Sequence, residues 1–323
     1  HTYYVRQTDT AGNTGHTSSY TFTLDTTAPA SAPSLSLEAD TGSSPDDGIT
    51  QVQTRVLVSN LEVGATWQYQ VVNTNAPSDD SRWIDGSGSS FDLTDGAHTY
   101  YVRQTDRAGN TGPVSLGDVF TRDQRAPRSL SMYLKEDTGI KHADGVTNNN
   151  IVNLSGLEDG ATWQYQVVTP GGSVANTQWM DGTGSSFTLS EDQVAHTYYV
   201  RQTDTAGNTG PTNSYTFTLD TTAPALSLSL QQDTGASASD GTTATNTANV
   251  AGLDPETTWE YQVDNGEWAT GSGSSFELAQ GTHSYLVRQT DTAGNISAVN
   301  SYTFTLDTTA AAPSLSLAAD SGV

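Results

Sequence analysis

His98-Thr-Tyr-Tyr-Val-Arg-Gln-Thr-Asp106 is one of four copies of the same phrase. It stands also at His1 to Asp9, at His196 to Asp204 and, as His-Ser-Tyr-Leu-Val-Arg-Gln-Thr-Asp, at His283 to Asp291, with starts 97, 98 and 87 residues apart. Self-similarity at a fixed period means tandem units rather than one large domain. A second phrase, Leu24-Asp-Thr-Thr-Ala-Pro29, returns at Leu219 to Pro224, at Leu306 to Ala311 and, more loosely, at Arg122 to Pro127. Each copy closes one unit and opens the next. The expected domains are therefore 1–25, the last part of a repeat; 26–123, 124–220 and 221–307, three complete repeats; and 308–323, the start of another. On this reading the chain is a piece of something longer. The third complete repeat has lost seven residues between Trp259 and Trp268 relative to Trp67 and Trp83, and a tolerated deletion marks a surface loop.

Within one repeat, short alternating runs are separated by Gly, Asp, Asn and Pro clusters, which predicts strands at 34–38, 52–58, 66–72, 89–93, 98–105 and 116–122. In the run from Thr66 to Val72, Trp67, Tyr69 and Val71 fall on one face and Gln68 and Gln70 on the other, as a half-buried strand requires. Trp163, Tyr165 and Val167, and Trp259, Tyr261 and Val263, repeat that pattern. A Trp on the third strand, and Tyr100 after Asp95-Gly-Ala-His-Thr, resemble an immunoglobulin-like sandwich with its tyrosine corner on the sixth strand. Tyr3, Tyr198 and Tyr285 hold the same place. The fold class is all-β: tandem immunoglobulin-like β-sandwich domains in a linear array, with Val102 near the position where antibody domains carry a cysteine.

Composition agrees and narrows the function. Only 34% of the 323 residues are hydrophobic, too few for one large core but enough for several small ones. Six Trp and fourteen Tyr, recurring at fixed places, argue against disorder. The net charge of −24, from 36 acidic and 12 basic residues, repels phosphate backbones and anionic lipid, so nucleic-acid binding and membrane insertion are not expected. Cysteine is absent, which excludes disulfides and thiolate metal sites. No apolar run reaches the roughly 20 residues that span a bilayer.

Three acidic motifs recur. The first is Asp-Thr-Gly followed by Asp-Gly, in the loop after the first strand: Asp40 and Asp47, Asp137 and Asp144, Asp233 and Asp240. The second is the Thr-Asp-x-Ala-Gly-Asn turn after the sixth strand, with Asp9, Asp106, Asp204 and Asp291 beside Asn13, Asn110, Asn208 and Asn295. The third is the linker aspartate, Asp25, Asp123, Asp220 or Asp307. Chain direction in a seven-strand sandwich puts the first loop at the C-terminal end of a repeat and the turn at its N-terminal end. Asp40, Asp47, Asp123 and Asp204 are therefore expected to converge. At about 5 Å and an effective dielectric near 20, each carboxylate pair repels by roughly 3 kcal/mol, a conflict that a cation would remove. Oxygen-only ligands in Gly-rich loops suit Ca²⁺ better than Mg²⁺. Turns also favour Asp, Asn and Gly for conformational reasons alone, and that reading stays open.

Enzyme motifs are missing. His1, His98, His196 and His283 begin the sixth strand as part of the repeat, and no Gly-x-Ser-x-Gly elbow occurs. The Gly-Ser-Gly-Ser-Ser runs at 86–90 and 271–275 precede strands, not helices, so they do not cradle phosphate. Arg103, Arg201 and Arg288 are expected on the outer face, paired with local acids. Lysine occurs only at Lys135 and Lys141, so a lysine isopeptide crosslink in every unit is excluded.

The linker, the Asp-Thr-Gly and Asp-Gly pair and the Thr-Asp-x-Ala-Gly-Asn turn together resemble the bacterial Ig-like repeats of giant adhesins exported by type I secretion, of the SiiE and BapA kind. The resemblance implies a calcium-rigidified extender on the bacterial cell surface. Its partners would be the neighbouring repeats, with the host or surface ligand bound by domains outside this chain. Asp123-Gln-Arg-Ala-Pro127, with Arg107 and Arg125 expected near that junction, departs from the pattern. The alternatives are an array that itself binds glycans or proteins through the variable segments 73–82 and 169–178, and a self-assembling surface filament.

Overall fold

The computed structural model describes residues 1–73, 82–190, 193–316 and 318. The chain forms two compact units, His1–Arg128 with Glu158–Thr162 and Gln202–Pro211, and Ser129–Leu157 with Trp163–Arg201 and Thr212–Val323. The variable segment 73–82 lies almost wholly outside the described residues.

The first unit begins with an antiparallel hairpin of β1 (Thr2–Val5) and β2 (Ser18–Thr21). The first complete repeat follows as β3 (Ser34–Leu37), β4 (Ile49–Thr50), β5 (Arg55–Ser59), β6 (Thr66–Asn73), β7 (Ile84–Asp85), β8 (Ser90–Asp92), β9 (Gly96–Thr105) and β10 (Asp118–Arg122). They make a three-stranded sheet, β3-β5-β8, and a five-stranded sheet, β4-β10-β9-β6-β7. All pairings are antiparallel except β4 with β10, which is parallel.

The second unit, with the ends of two strands that fall in the first, repeats this topology twice. Its first set is β11 (Ser131–Leu134), β12 (Val146–Thr147), β13 (Ile151–Ser155), β14 (Thr162–Val168), β15 (Met180–Asp181), β16 (Ser186–Thr188), β17 (His196–Thr203) and β18 (Asn213–Leu219). Its second is β19 (Ser227–Leu230), β20 (Thr242–Thr243), β21 (Thr247–Ala251), β22 (Thr258–Val263), β23 (Ala269–Thr270), β24 (Ser275–Glu277), β25 (Gly281–Thr290) and β26 (Asn300–Leu306). The strand orders match those of the first repeat. Residues 308–316, expected to open a further repeat, form no strand, and most of 317–323 lies outside the described residues.

Each sandwich closes over one tryptophan. Trp67 is 4% exposed and packs among Val56, Val58, Phe91, Tyr100 and Val102. Its indole Nε1 donates to Gly88 O, as Trp163 does to Gly184 O and Trp259 to Gly273 O. A Cβ at Gly86, Gly182 or Gly271 would collide with the indole ring. The Gly-Ser-Gly runs, and Gly182-Thr-Gly184 in the second repeat, are therefore lids on the tryptophan: the first glycine lets the backbone lie on the ring, and the second offers its carbonyl. The tyrosine corner is present in all three repeats, with the buried Tyr100, Tyr198 and Tyr285 hydroxyls accepting from Thr94 N, Ser190 N and Ala279 N.

Several expectations are corrected. The strand expected at 52–58 starts at Arg55, and two-residue strands at 49–50 and 84–85 were not foreseen, because two residues carry no periodicity. Gln70, Gln166 and Gln262 do not simply face solvent. Gln166 is buried and its Nε2 donates to Val174 O and Thr177 O, pinning a single-turn 3₁₀ helix at Val174–Asn176. The variable segment 169–178 is thus anchored from beneath. Gln262 Nε2 donates in the same way to Gly266 O.

Candidate functional site

The Thr-Asp-x-Ala-Gly-Asn turn is self-contained. Asp106 Oδ1 accepts from Ala108 N at 2.9 Å and Asn110 N at 2.8 Å, and Oδ2 accepts from Asn110 Nδ2 at 2.9 Å. Asp9 has the same three bonds, and Asp204 and Asp291 accept from the backbone N and Nδ2 of Asn208 and Asn295. The side-chain bond from the asparagine is the main reason that Asp9 and Asp106 are held below the ordinary carboxylate range. That asparagine also reaches outward. Asn110, Asn208 and Asn295 Nδ2 donate to the linker carbonyls of Asp25, Asp123 and Asp220 at 3.1, 2.9 and 2.8 Å. The linker carboxylates cap their own chain: Asp25, Asp123, Asp220 and Asp307 Oδ1 accept from the backbone N of Thr27, Arg125, Thr222 and Thr309.

The loop after the first strand is unlike the turn. Asp40, Asp137 and Asp233 use Oδ2 to accept from the N–H of Gly48, Gly145 and Gly241 at 2.9, 3.5 and 3.1 Å. Their other oxygen, Oδ1, is buried and has no hydrogen-bond partner in any of the three repeats. Burial raises Asp40 and Asp137 above the usual carboxylate range; Asp47 and Asp46 add to this at Asp40, and Asp144 adds to it at Asp137. Asp47, Asp144 and Asp240 each accept from the backbone N two residues on. Asp40 and Asp46 border a cleft of about 190 Å³, and Asp233 and Asp240 share one of about 450 Å³.

The same loop docks on the turn of the repeat that follows. Thr41 Oγ1 donates to Ala206 O at 3.2 Å, Ser43 N to Thr205 O at 3.1 Å and Gln51 Nε2 to Gly207 O at 3.0 Å. Gly42, at φ +116°, lies so close that a Cβ would collide with the Thr205 carbonyl. In the second unit Thr138 Oγ1 donates to Ala293 O at 2.6 Å, and Gly139 meets Thr292 in the same way.

Loop, linker and turn therefore meet as chain direction predicts, but the four carboxylates do not form a ligand cluster. Among the described residues no group of three or more His, Asp or Glu side chains is placed to hold a metal ion. The physical reason is that Asp106, Asp204, Asp291 and the linker aspartates are occupied by N–H donors of their own segments. The carboxylates left under-satisfied are Asp40, Asp137 and Asp233. The expectation that Arg107 sits with Asp123 is also corrected: Arg107 packs beside Gly64, in the turn whose Asn110 binds the Asp25 carbonyl. Thr41, Thr138, Gly42, Gly139 and Gln51 were missed as junction residues, although the Thr-Gly that follows each loop aspartate was visible as part of the repeat.

A family described as bacterial Ig-like domain matches residues 27–120, 124–221 and 222–308. The chain belongs to the bacterial Ig-like domain family. No curated protein matches it. Among solved structures it is similar to the chicken CNTN1 FN1-FN3 domains, at 12% identity over 84% of this chain and 98% of that one, with a TM-score of 0.29. It is also similar to a structure reported as giving insight into host cell surface retention of a 1.5-MDa bacterial ice-binding adhesin, at 18% identity over 86% of this chain and 99% of that one, with a TM-score of 0.33.

Other recurring residues serve the bacterial Ig-like sandwich itself. Gln104 Nε2 donates to Ser31 O and Asn60 O while its Oε1 accepts from Glu62 N. Gln202 and Gln289 repeat this toward Arg128 O and Pro224 O, tying the start of each domain to its sixth strand. Arg103 and Arg201 bond to Gln68 and Gln164, not to acids as expected; only Arg288 meets an acid, Glu260. Each guanidinium lies 4.1 Å from the ring centre of an outer tryptophan, Trp83, Trp179 or Trp268. His98 and His283 place Nε2 against the carbonyls of Asp95 and Gln280, a brace at the start of the strand. No helix among the described residues is long and apolar enough to cross a membrane.

Proposed function

We propose that this chain is an extender segment of a large bacterial surface adhesin, in which interlocked Ig-like repeats, stiffened by calcium, project a ligand-binding domain away from the cell. The observation that carries the reading is the interlock: Thr41 and Gly42 on the Thr205–Gly207 turn, with Asn208 on the Asp123 carbonyl, and its copy at Thr138, Gly139 and Asn295. Residues that bridge neighbouring repeats limit bending at a linker that would otherwise swing freely. Family membership and a strongly anionic surface are consistent with an exported repeat protein, and export by type I secretion in the manner of SiiE and BapA belongs to this proposal.

The orphaned Oδ1 of Asp40, Asp137 and Asp233 is the feature that fits calcium. A buried carboxylate oxygen without a donor costs free energy on the order of 1–3 kcal/mol, and its appearance in all three repeats argues for an unmet partner rather than an accident. Asp40 with Asp47, Asp137 with Asp144 and Asp233 with Asp240 would hold the ion. Bound calcium would supply positive charge to a loop that otherwise holds two repelling carboxylates. Such a loop favours order at extracellular calcium and relaxation where calcium is scarce. Small-angle scattering and thermal melting of the chain in millimolar calcium and then in EGTA test this. The expected result is a smaller radius of gyration and a lower melting temperature in EGTA; if neither quantity moves, the calcium-stiffened extender is wrong.

A further inference from the structure

We propose that Lys141 and Glu256 form an ionic latch, private to the Asp220 junction, that holds the second and third complete repeats together without metal. Lys141 Nζ lies 2.7 Å from Glu256 Oε2. Lys141 belongs to the loop between Asp137 and Asp144, and Glu256 to the loop before the core tryptophan of the following repeat. The latch goes beyond the calcium reading and does not require it.

The repeats supply their own control. In the run Leu61-Glu-Val-Gly64-Ala-Thr-Trp67 the position of Glu256 is held by Gly64, and in Leu157-Glu-Asp-Gly160-Ala-Thr-Trp163 by Gly160. These glycines have φ of +81° and +73°, and Glu256 keeps +64°. A side chain in the left-handed region is strained relative to glycine. The chain therefore accepts strain at the one copy where a glutamate meets a cation. The cation is equally singular. Ser44 and Ser237 stand where Lys141 does, and the chain has only one other lysine, Lys135. Asp144 is also close enough to act on the Lys141 ammonium, so the lysine sits between an acid of its own loop and an acid of the next repeat.

Both side chains are more than half exposed, which sets the size of the effect. An exposed pair is screened by salt and is worth a fewfold change in equilibrium, not orders of magnitude. Hydrogen exchange on the whole chain in EGTA at low salt, read on the 136–148 and 290–296 segments, tests the latch. Lys141→Ser should speed exchange there by roughly two- to fivefold, leave the corresponding 39–51 and 203–209 segments unchanged, and lose its effect in 1 M salt. Glu256→Gly should slow exchange in the Lys141→Ser background, where it only relieves strain, and give no such gain when Lys141 is present. Unchanged exchange in Lys141→Ser, or a Glu256→Gly effect equal in both backgrounds, would overturn the latch. Since every measurement is made without calcium, failure of the calcium reading leaves this result intact.

Discussion

Two aspartate-rich segments meet at each junction, and they solve the same electrostatic problem in opposite ways. The turn after the sixth strand neutralises its aspartate internally: Asp204 is buried, yet Asn208 supplies both a backbone and a side-chain donor. The loop after the first strand does not. Asp40 receives one N–H from Gly48 and keeps a buried oxygen with no partner. Composition treats the two alike, since both are short runs of Asp, Thr and Gly. Geometry separates a finished hydrogen-bonded turn from a loop that keeps a buried carboxylate oxygen without a donor.

The largest expected effect comes from breaking the contact between them. Gly42→Ala should open the Asp123 junction at a cost of about 3 kcal/mol or more, since the new Cβ meets the Thr205 carbonyl. Hydrogen exchange at 203–209 should rise sharply while the core around Trp67 stays protected. Gly235→Ala is the control. It has a similar φ of +109° but nothing within 4 Å, so it should cost only the left-handed penalty, about 1 kcal/mol.

Next in size, Asp204→Ala strands the donors of Asn208 and should destabilise the turn by about 2 kcal/mol, equally with and without calcium. Asp40→Asn should behave differently. In EGTA it removes a buried charge and should be neutral or stabilising by about 1 kcal/mol, while in calcium it should lose the share of the calcium-dependent stabilisation that comes from its own loop. Equal calcium responses from the two variants would erase the distinction between turn and loop.

The smallest effect is on acid titration. In the calcium-free chain Asp40 and Asp137 are raised by burial, so the native state binds protons more tightly than the unfolded chain there. Their destabilising contribution is present above the folded value and fades as pH falls through it. Asp9 and Asp106 are lowered by their asparagine bonds. Their stabilising contribution is present above the ordinary value of 3.8 and is lost as pH falls through the folded one. Carboxyl carbon chemical shifts should show Asp40 and Asp137 titrating above 3.8 and Asp9 and Asp106 below it; the reverse order would contradict the hydrogen-bond assignment.

The fold was open to reading because the information was repeated. Trp67, Tyr100 and their copies mark the core, and the alternation around them gives the strands. The junction was half legible. Chain direction brought loop, linker and turn together, but a list of acids does not say which are already satisfied. That depends on Asn208 Nδ2 and on the N–H groups of the turn, which only coordinates reveal. Gln104 was equally hidden: alternation puts it on the inward face with Tyr100 and Val102, but nothing in the pattern says that its amide braces the linker.

The central claim is that the unsatisfied loop carboxylates receive calcium while the turn carboxylates do not. Calorimetric titration of calcium into the native chain and into the Asp40→Asn, Asp137→Asn, Asp233→Asn triple variant tests it most directly. The account predicts binding in the native chain that disappears in the triple variant and survives Asp106→Asn. Binding that persists unchanged in the triple variant, or no binding by the native chain at millimolar calcium, would contradict it.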